Sequence, residues 1–141
     1  MLLSNVLDAE PSRVVSVPLT LHVADAAAVM KREAVGALVV CETWGRYRGM
    51  LSERNLAVAI AQHGRDLFRR RAGELMWANA PTAAPEDTVE AAVDRLLEKG
   101  VRHLPVLEHG KVLGVLSLDG LLRRLAGNAQ SSAMNTRHLA A

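Results

Sequence analysis

With 141 residues, 50% of them hydrophobic and 23% charged, the chain is long enough for one real core and too apolar for disorder. A net charge of +2 gives no uniformly basic surface for nucleic acid, and with only Trp44, Tyr47, Phe68 and Trp77 as aromatics the interior falls to Ala, Val and Leu. No apolar run approaches the roughly 18 to 20 residues of a spanning helix, Asp8 and Glu10 cut short the apolar start that a signal peptide needs, and a lone Cys41 excludes an internal disulfide. A mixed α/β protein in a reducing, cytoplasmic compartment is expected.

In chain order, the apolar pair Val6-Leu7 precedes a short extended segment, VVSV at 14–17. Val23, Ala26, Ala27, Met30 and Ala34 then recur at helical spacing, ALVVCE (37–42) and YRGML (47–51) read as strands, and Ser52 caps a helix over ERNLAVAIAQ. GRDLFRRRAGELM (64–76) is strongly basic and ends in a short amphipathic turn at Leu75 and Met76, before a second extended segment, PTAA at 81–84. Asp87 followed by Glu90 predicts a capping-box helix start, with Val89, Ala92, Val93, Leu96 and Leu97 as its apolar stripe and Gly100 as its stop. HLPVL (103–107) and KVLGVLS (111–117) flank a Glu-His-Gly turn, and Ser117 caps a last helix with Leu118, Leu121, Leu122 and Leu125 on one stripe. From 127 to 141 the periodicity is lost, and a disordered tail is expected.

The order of elements occurs twice. An offset of 66 sets Val23, Ala26, Val35, Leu38, Val40 and Glu42 over Val89, Ala92, Val101, Leu104, Val106 and Glu108. One extra residue in the first copy makes the offset 65, and Gly49, Leu51, Ser52 and Leu56 then face Gly114, Leu116, Ser117 and Leu121. The fold class is therefore α/β (α+β), two β-α-β-β-α repeats that complete one another's apolar faces.

GMLSERNL (49–56), GVLSLDGLL (114–122) and VRHLPVLEHGKVLGVLS (101–117) resemble tandem cystathionine-β-synthase (CBS) domains over roughly residues 3–126, a stand-alone module of the Bateman type. The resemblance divides the chain into a first repeat (3–63), a basic linker (64–71), a second repeat (72–126) and the tail. It implies a pair of repeats about a pseudo-two-fold axis, a homodimer, and a regulatory rather than catalytic role. It further implies a cleft for an adenosine-containing ligand such as AMP, ADP, ATP, NADH or S-adenosylmethionine. By the same resemblance no required cofactor is expected, an unidentified effector protein is expected to receive the signal, and neither a membrane nor nucleic acid is expected as partner.

The family's motif is Ser or Thr, two residues, then Asp. The serine opens a helix beside unpaired N–H groups that attract oxygen atoms, and the Asp accepts from the ribose hydroxyls. Ser52 and Ser117 occupy the serine position, and either can equally be read as an ordinary cap. Both Asp positions depart from the pattern: Asn55 stands in the first copy, Gly120 in the second, and Asp119 comes one residue early, about 100° round the helix. The first site therefore ranks above the second. Arg102 and His103 resemble positions that approach phosphates and can equally be read as an edge-strand pair facing solvent, and Arg54 either reaches a phosphate or pairs with Glu53 or Asp66.

The five histidines and single cysteine show no metal-ligand spacing, and Cys41 is expected to be buried and inert. His103, Ser117 and Asp119 can be imagined as a triad, but no nucleophile elbow or oxyanion loop accompanies them. Residues 46–71 carry seven Arg against Glu53 and Asp66. That excess, with the missing carboxylates, supports an alternative in which the clefts are vestigial and the protein is a structural or RNA-binding homodimer. Which ligand binds, the dimer geometry and the pathway are not written in the sequence.

Overall fold

A computed structural model of the protein describes residues 1–127, so the expected tail lies outside the described residues from 128 onward, while Gly127 itself is helical. The fold is α+β, with elements α1 (Leu3–Ala9), β1 (Ser16–Pro18), α2 (Val23–Glu33), β2 (Ala37–Cys41), β3 (Tyr47–Ser52) and α3 (Glu53–His63). A 3₁₀ turn (Gly64–Arg69), α4 (Ala72–Leu75), α5 (Val89–Lys99), β4 (His103–Glu108) and β5 (Lys111–Ser117) follow, and residues 118–127 form a last helix, α6. Strand β1 runs parallel to β2, which pairs antiparallel with β3, Leu38 opposite Leu51, and β4 pairs with β5. The extended segment expected at 81–84 is only a single parallel bridge, Ala83 to Val106.

The helix ends show how local chemistry sets these elements. Helix α5 is capped by Thr88, whose hydroxyl accepts from the Ala91 amide at 3.1 Å. The start expected at Asp87 is one residue early, because that carboxylate instead accepts from the Ala84 amide at 2.9 Å and from Arg95 at 3.2 Å. These partners hold its pKa below the usual 3.8, the Ala84 amide contributing most. Both α2 and α5 end in a left-handed residue, Ala34 (φ 54°) and Gly100 (φ 64°). Ala34 is thus a cap and not part of the apolar stripe. Three expected stripe residues also turn outward, Ala27 on α2 among them. Leu97 is 59% exposed, lying about 90° round the helix from the centre of the buried Val89, Ala92, Val93 and Leu96, and Leu122 is exposed at the edge of α6.

The described chain forms two compact units that do not follow the linear repeats. One comprises Arg13–Ala80 with Leu107–Leu113; its core is Val17, Ala26, Met30, Leu38, Val40, Leu51 and Ala72. The other joins Met1–Ser12 to Pro81–Val106 and the chain from Gly114, around Leu3, Val6, Val89, Ala92, Leu96, Leu104, Leu116 and Leu121. Each unit recruits the segment that precedes the other repeat. In the first, Ala72 donates to the Leu21 carbonyl (2.8 Å) and Val23 to Arg70 (3.1 Å). In the second, Leu3 donates to Asp87 (2.8 Å) and Val89 to Met1 (3.0 Å), the same lattice of backbone bonds.

Candidate functional site

Each unit contains a strand-to-helix corner, built by the same bonds. The first helical amide is taken by the carbonyl that precedes the neighbouring strand: Glu53 to Gly36 at 3.0 Å, and Leu118 to Arg102 at 2.8 Å. The third is taken by the capping hydroxyl: Asn55 to Ser52 Oγ at 3.1 Å, and Gly120 to Ser117 Oγ at 3.0 Å. The serines are thus helix caps. The row of unpaired amides expected beside each serine is reduced, in the first turn, to the N–H of Arg54 and that of Asp119.

The corners differ in their side chains. At the first, the Asn55 carbonyl oxygen accepts from the Ser52 amide (2.8 Å) and from the Ser52 hydroxyl (2.9 Å), closing a capping box. Both lone pairs are engaged, so the oxygen assigned to a ribose hydroxyl is already occupied and the Asn55 side chain has only its NH2 group, a donor, left to offer. Arg54 pairs with neither of its expected partners: Asp66 binds Arg70 at 2.8 Å, and among the described residues Arg54 makes no ion pair. It is the exposed cation of this corner.

At the second corner the cation is neutralised. One terminal nitrogen of Arg102 reaches both carboxylate oxygens of Asp119 at 3.0 Å, on side chains 69% and 60% exposed. Such an exposed pair is worth about 0–1 kcal/mol, so a stronger anion can displace Asp119, but nothing there is held ready. His103 lies beside Arg102 at the start of β4, half-buried and engaged. The Ser117 hydroxyl accepts from the Gly120 amide as a helix cap and the Asp119 carboxylate is held by Arg102, so the two groups serve local structure. Ser52, Arg54 and Asn55 thus share one corner, and Arg102, Ser117 and Asp119 the other.

Several structural residues escaped the sequence reading. Ser12 Oγ donates to the Val115 carbonyl (2.6 Å) and accepts from its amide (2.9 Å). In the other unit the backbone of Trp77 makes the matching pair with Met50, at 2.8 and 3.2 Å. These segments press on Gly49 and Gly114, where an added Cβ would lie 2.8 Å from the Trp77 oxygen and 2.5 Å from a Leu7 methyl. The doubled glycine was visible as a repeat marker; what it made room for was not. Cys41 is buried as expected, and burial pushes its thiol pKa up. The buried Tyr47 hydroxyl, which has no hydrogen-bond partner among the described residues, has its pKa pushed up to about 12, chiefly by burial and then by Cys41. Among the described residues no group of His, Cys, Asp and Glu could hold a metal ion, and no helix is long and apolar enough to cross a membrane.

Comparison with known proteins bears directly on these paired corners. A family model described as the CBS domain matches residues 10–62 and again 72–127. The CBS domain-containing protein YhcV of Bacillus subtilis is 27% identical over 133 residues, 94% of either chain. An uncharacterized 17.7 kDa protein of Acidianus ambivalens is 31% identical over 104 residues, 73% of this chain and 62% of that one. Among solved structures, a CBS-domain containing protein from Agrobacterium tumefaciens superposes with a TM-score of 0.81 at 24% identity, over 88% of this chain and 98% of that one. A CBS domain pair in complex with 5′-methylthioadenosine and S-adenosyl-L-methionine gives 0.78 at 18% identity, over 91% and 98%. At these identities the structural likeness is one of fold, and no catalytic family is indicated. With two model matches that together span most of its length, the chain belongs to the CBS domain family, as a tandem pair.

Proposed function

We propose that this CBS-domain pair is a regulatory module that binds an adenosine-containing ligand at the Ser52 corner and passes the resulting conformation to an effector protein, without catalysis. The observation that carries the reading is the state of that corner: Arg54 is exposed and, among the described residues, has no carboxylate partner and no bond to its amide, and the Asn55 amide group is available as a donor. The solved relative that holds 5′-methylthioadenosine and S-adenosyl-L-methionine supports the choice of ligand class. One free amide and one cation suit a nucleoside or nucleoside monophosphate better than a triphosphate, whose charge needs several donors. A homodimer and a cytoplasmic location belong to the same reading; Val58 and Ile60 on α3, and Leu122 on α6, are exposed apolar surface for a second copy.

Calorimetric titration with AMP, ADP, ATP, NADH and S-adenosylmethionine tests the proposal, with light scattering to record the oligomeric state. Binding of at least one of these below millimolar, AMP ahead of ATP, is expected. A folded dimer that binds none of them below millimolar overturns the ligand class.

A further inference from the structure

The turn between β2 and β3 and the turn between β4 and β5 lie together in the first compact unit and enclose a depression of about 400 Å³. Its lining is Trp44, Arg46, His109, Gly110 and Lys111. The volume falls in the roughly 300–1,000 Å³ range of small-ligand sites. No residue of either strand-to-helix corner takes part in it.

Three features give this depression a chemical preference. First, Trp44 is 89% exposed, an indole held in water on a turn. Second, its neighbours are basic, and among the described residues neither Arg46 nor Lys111 makes an ion pair. The adjacent carboxylate, Glu42, is already held by Arg48 at 2.5 Å, and Glu108, at the end of β4, is not part of the lining. Third, the turns are fixed to each other: the Tyr47 amide donates to the Gly110 carbonyl at 3.0 Å, and the Glu42 amide to the Arg46 carbonyl at 2.9 Å. Gly110, at φ 78°, leaves space on which the Arg46 stem lies, 3.9 Å from where a Cβ would stand. An aromatic face beside two uncommitted cations matches a flat ring bearing a nearby phosphate.

We infer that the two hairpin turns form a second, separate binding site for a nucleobase with its phosphate. Trp44 stacks on the base, and Arg46 and Lys111 hold the phosphate. A free mononucleotide and one unit of a single strand present the same chemistry. The inference does not depend on the Ser52 reading.

The test uses Trp44 as its own reporter, in full-length protein carrying Trp77→Phe so that Trp44 is the single indole. Its fluorescence is titrated with AMP, UMP, inorganic phosphate and a 12-nucleotide oligo(U) in low salt. Saturable quenching by both AMP and UMP is expected, since stacking tolerates either base. The double variant Arg46→Ala/Lys111→Ala should weaken it roughly three- to tenfold, as loss of two exposed charge contacts implies. Ser52→Ala should leave the curve unchanged, which separates this site from the proposed adenosine corner. Tighter, salt-steep binding of the oligonucleotide identifies a single strand as the ligand; parity per nucleotide identifies the free nucleotide. Quenching that never saturates, or that survives loss of both cations in a variant with unchanged circular dichroism, overturns the inference. So does phosphate competing as well as UMP, because the indole would then contribute nothing.

Discussion

The Ser52 and Ser117 corners share one backbone and differ in what that backbone presents. In both, a serine caps the helix and a distant carbonyl takes the first amide. At the Ser52 corner the cation is Arg54, on the helix itself and unpaired among the described residues, with Asn55 folded back onto the cap. At the Ser117 corner the cation is Arg102, before the strand and bound to Asp119, with no side chain at Gly120. Duplication preserves the scaffold because backbone bonds enforce it. The side chains project beyond those bonds and are free to diverge, so one corner stays open and the other is closed by its own ion pair.

The same contrast can be broken by substitution. The largest effect is expected at the paired glycines. Gly49→Ala sets a methyl against the Trp77 backbone oxygen, which is itself bonded to Met50 and cannot retreat, so a loss of about 2–3 kcal/mol is expected in urea unfolding. Gly114→Ala should lose less, about 1–2 kcal/mol, because the Leu7 methyl can rotate away while Ser12 Cβ, 3.0 Å off and tied by its hydroxyl bonds, must give slightly. Ser12→Ala should lose about 1–2 kcal/mol by leaving the Val115 amide and carbonyl without their shared partner. The other unit has no equivalent weak point, since there the Trp77 backbone makes the bond.

At the left-handed caps the expected signs are opposite. Ala34→Gly should raise stability by about 1 kcal/mol, and Gly100→Ala should lower it by a similar amount, both measurable as a shift in urea midpoint. The smallest effect concerns pH. Asp87 has a folded pKa below its unfolded 3.8, so its contribution is present above pH 3.8 and lost as pH falls through the lower folded value. Asp87→Asn should flatten the acid limb of the stability profile below pH 4, with little change in its slope near pH 7.

The fold was legible because the repeat doubles every signal. Strand spans over ALVVC and KVLGVLS, the Ser52 and Ser117 caps and the Gly100 stop follow from local chemistry, and the structure places each within a residue. Asp87 and Ala34 were misread because capping depends on a backbone angle that residue type constrains only loosely. The exchange of segments, 1–12 against one repeat and 70–80 against the other, involves contacts too distant in sequence for periodicity to carry. The structure sets Ser52, Arg54 and Asn55 at one corner and Arg102, Ser117 and Asp119 at the other, and the availability of each was hidden from the sequence. Whether Asn55 offers its oxygen, or Arg102 its charge, is decided by neighbours at hydrogen-bond distance.

The central claim is that the Ser52 corner, and not the Ser117 corner, receives the ligand. Asn55→Asp tests it most directly. One carboxylate oxygen can keep the capping box while the other accepts from ribose hydroxyls, and a charged hydrogen bond is worth about 1.5–3 kcal/mol. Calorimetry with AMP, on protein carrying Arg46→Ala/Lys111→Ala so that the hairpin-turn site is weakened, should then show affinity raised about tenfold or more, while Arg102→Ala leaves it unchanged. Unchanged or weaker affinity in Asn55→Asp, or loss of binding in Arg102→Ala, would contradict the account.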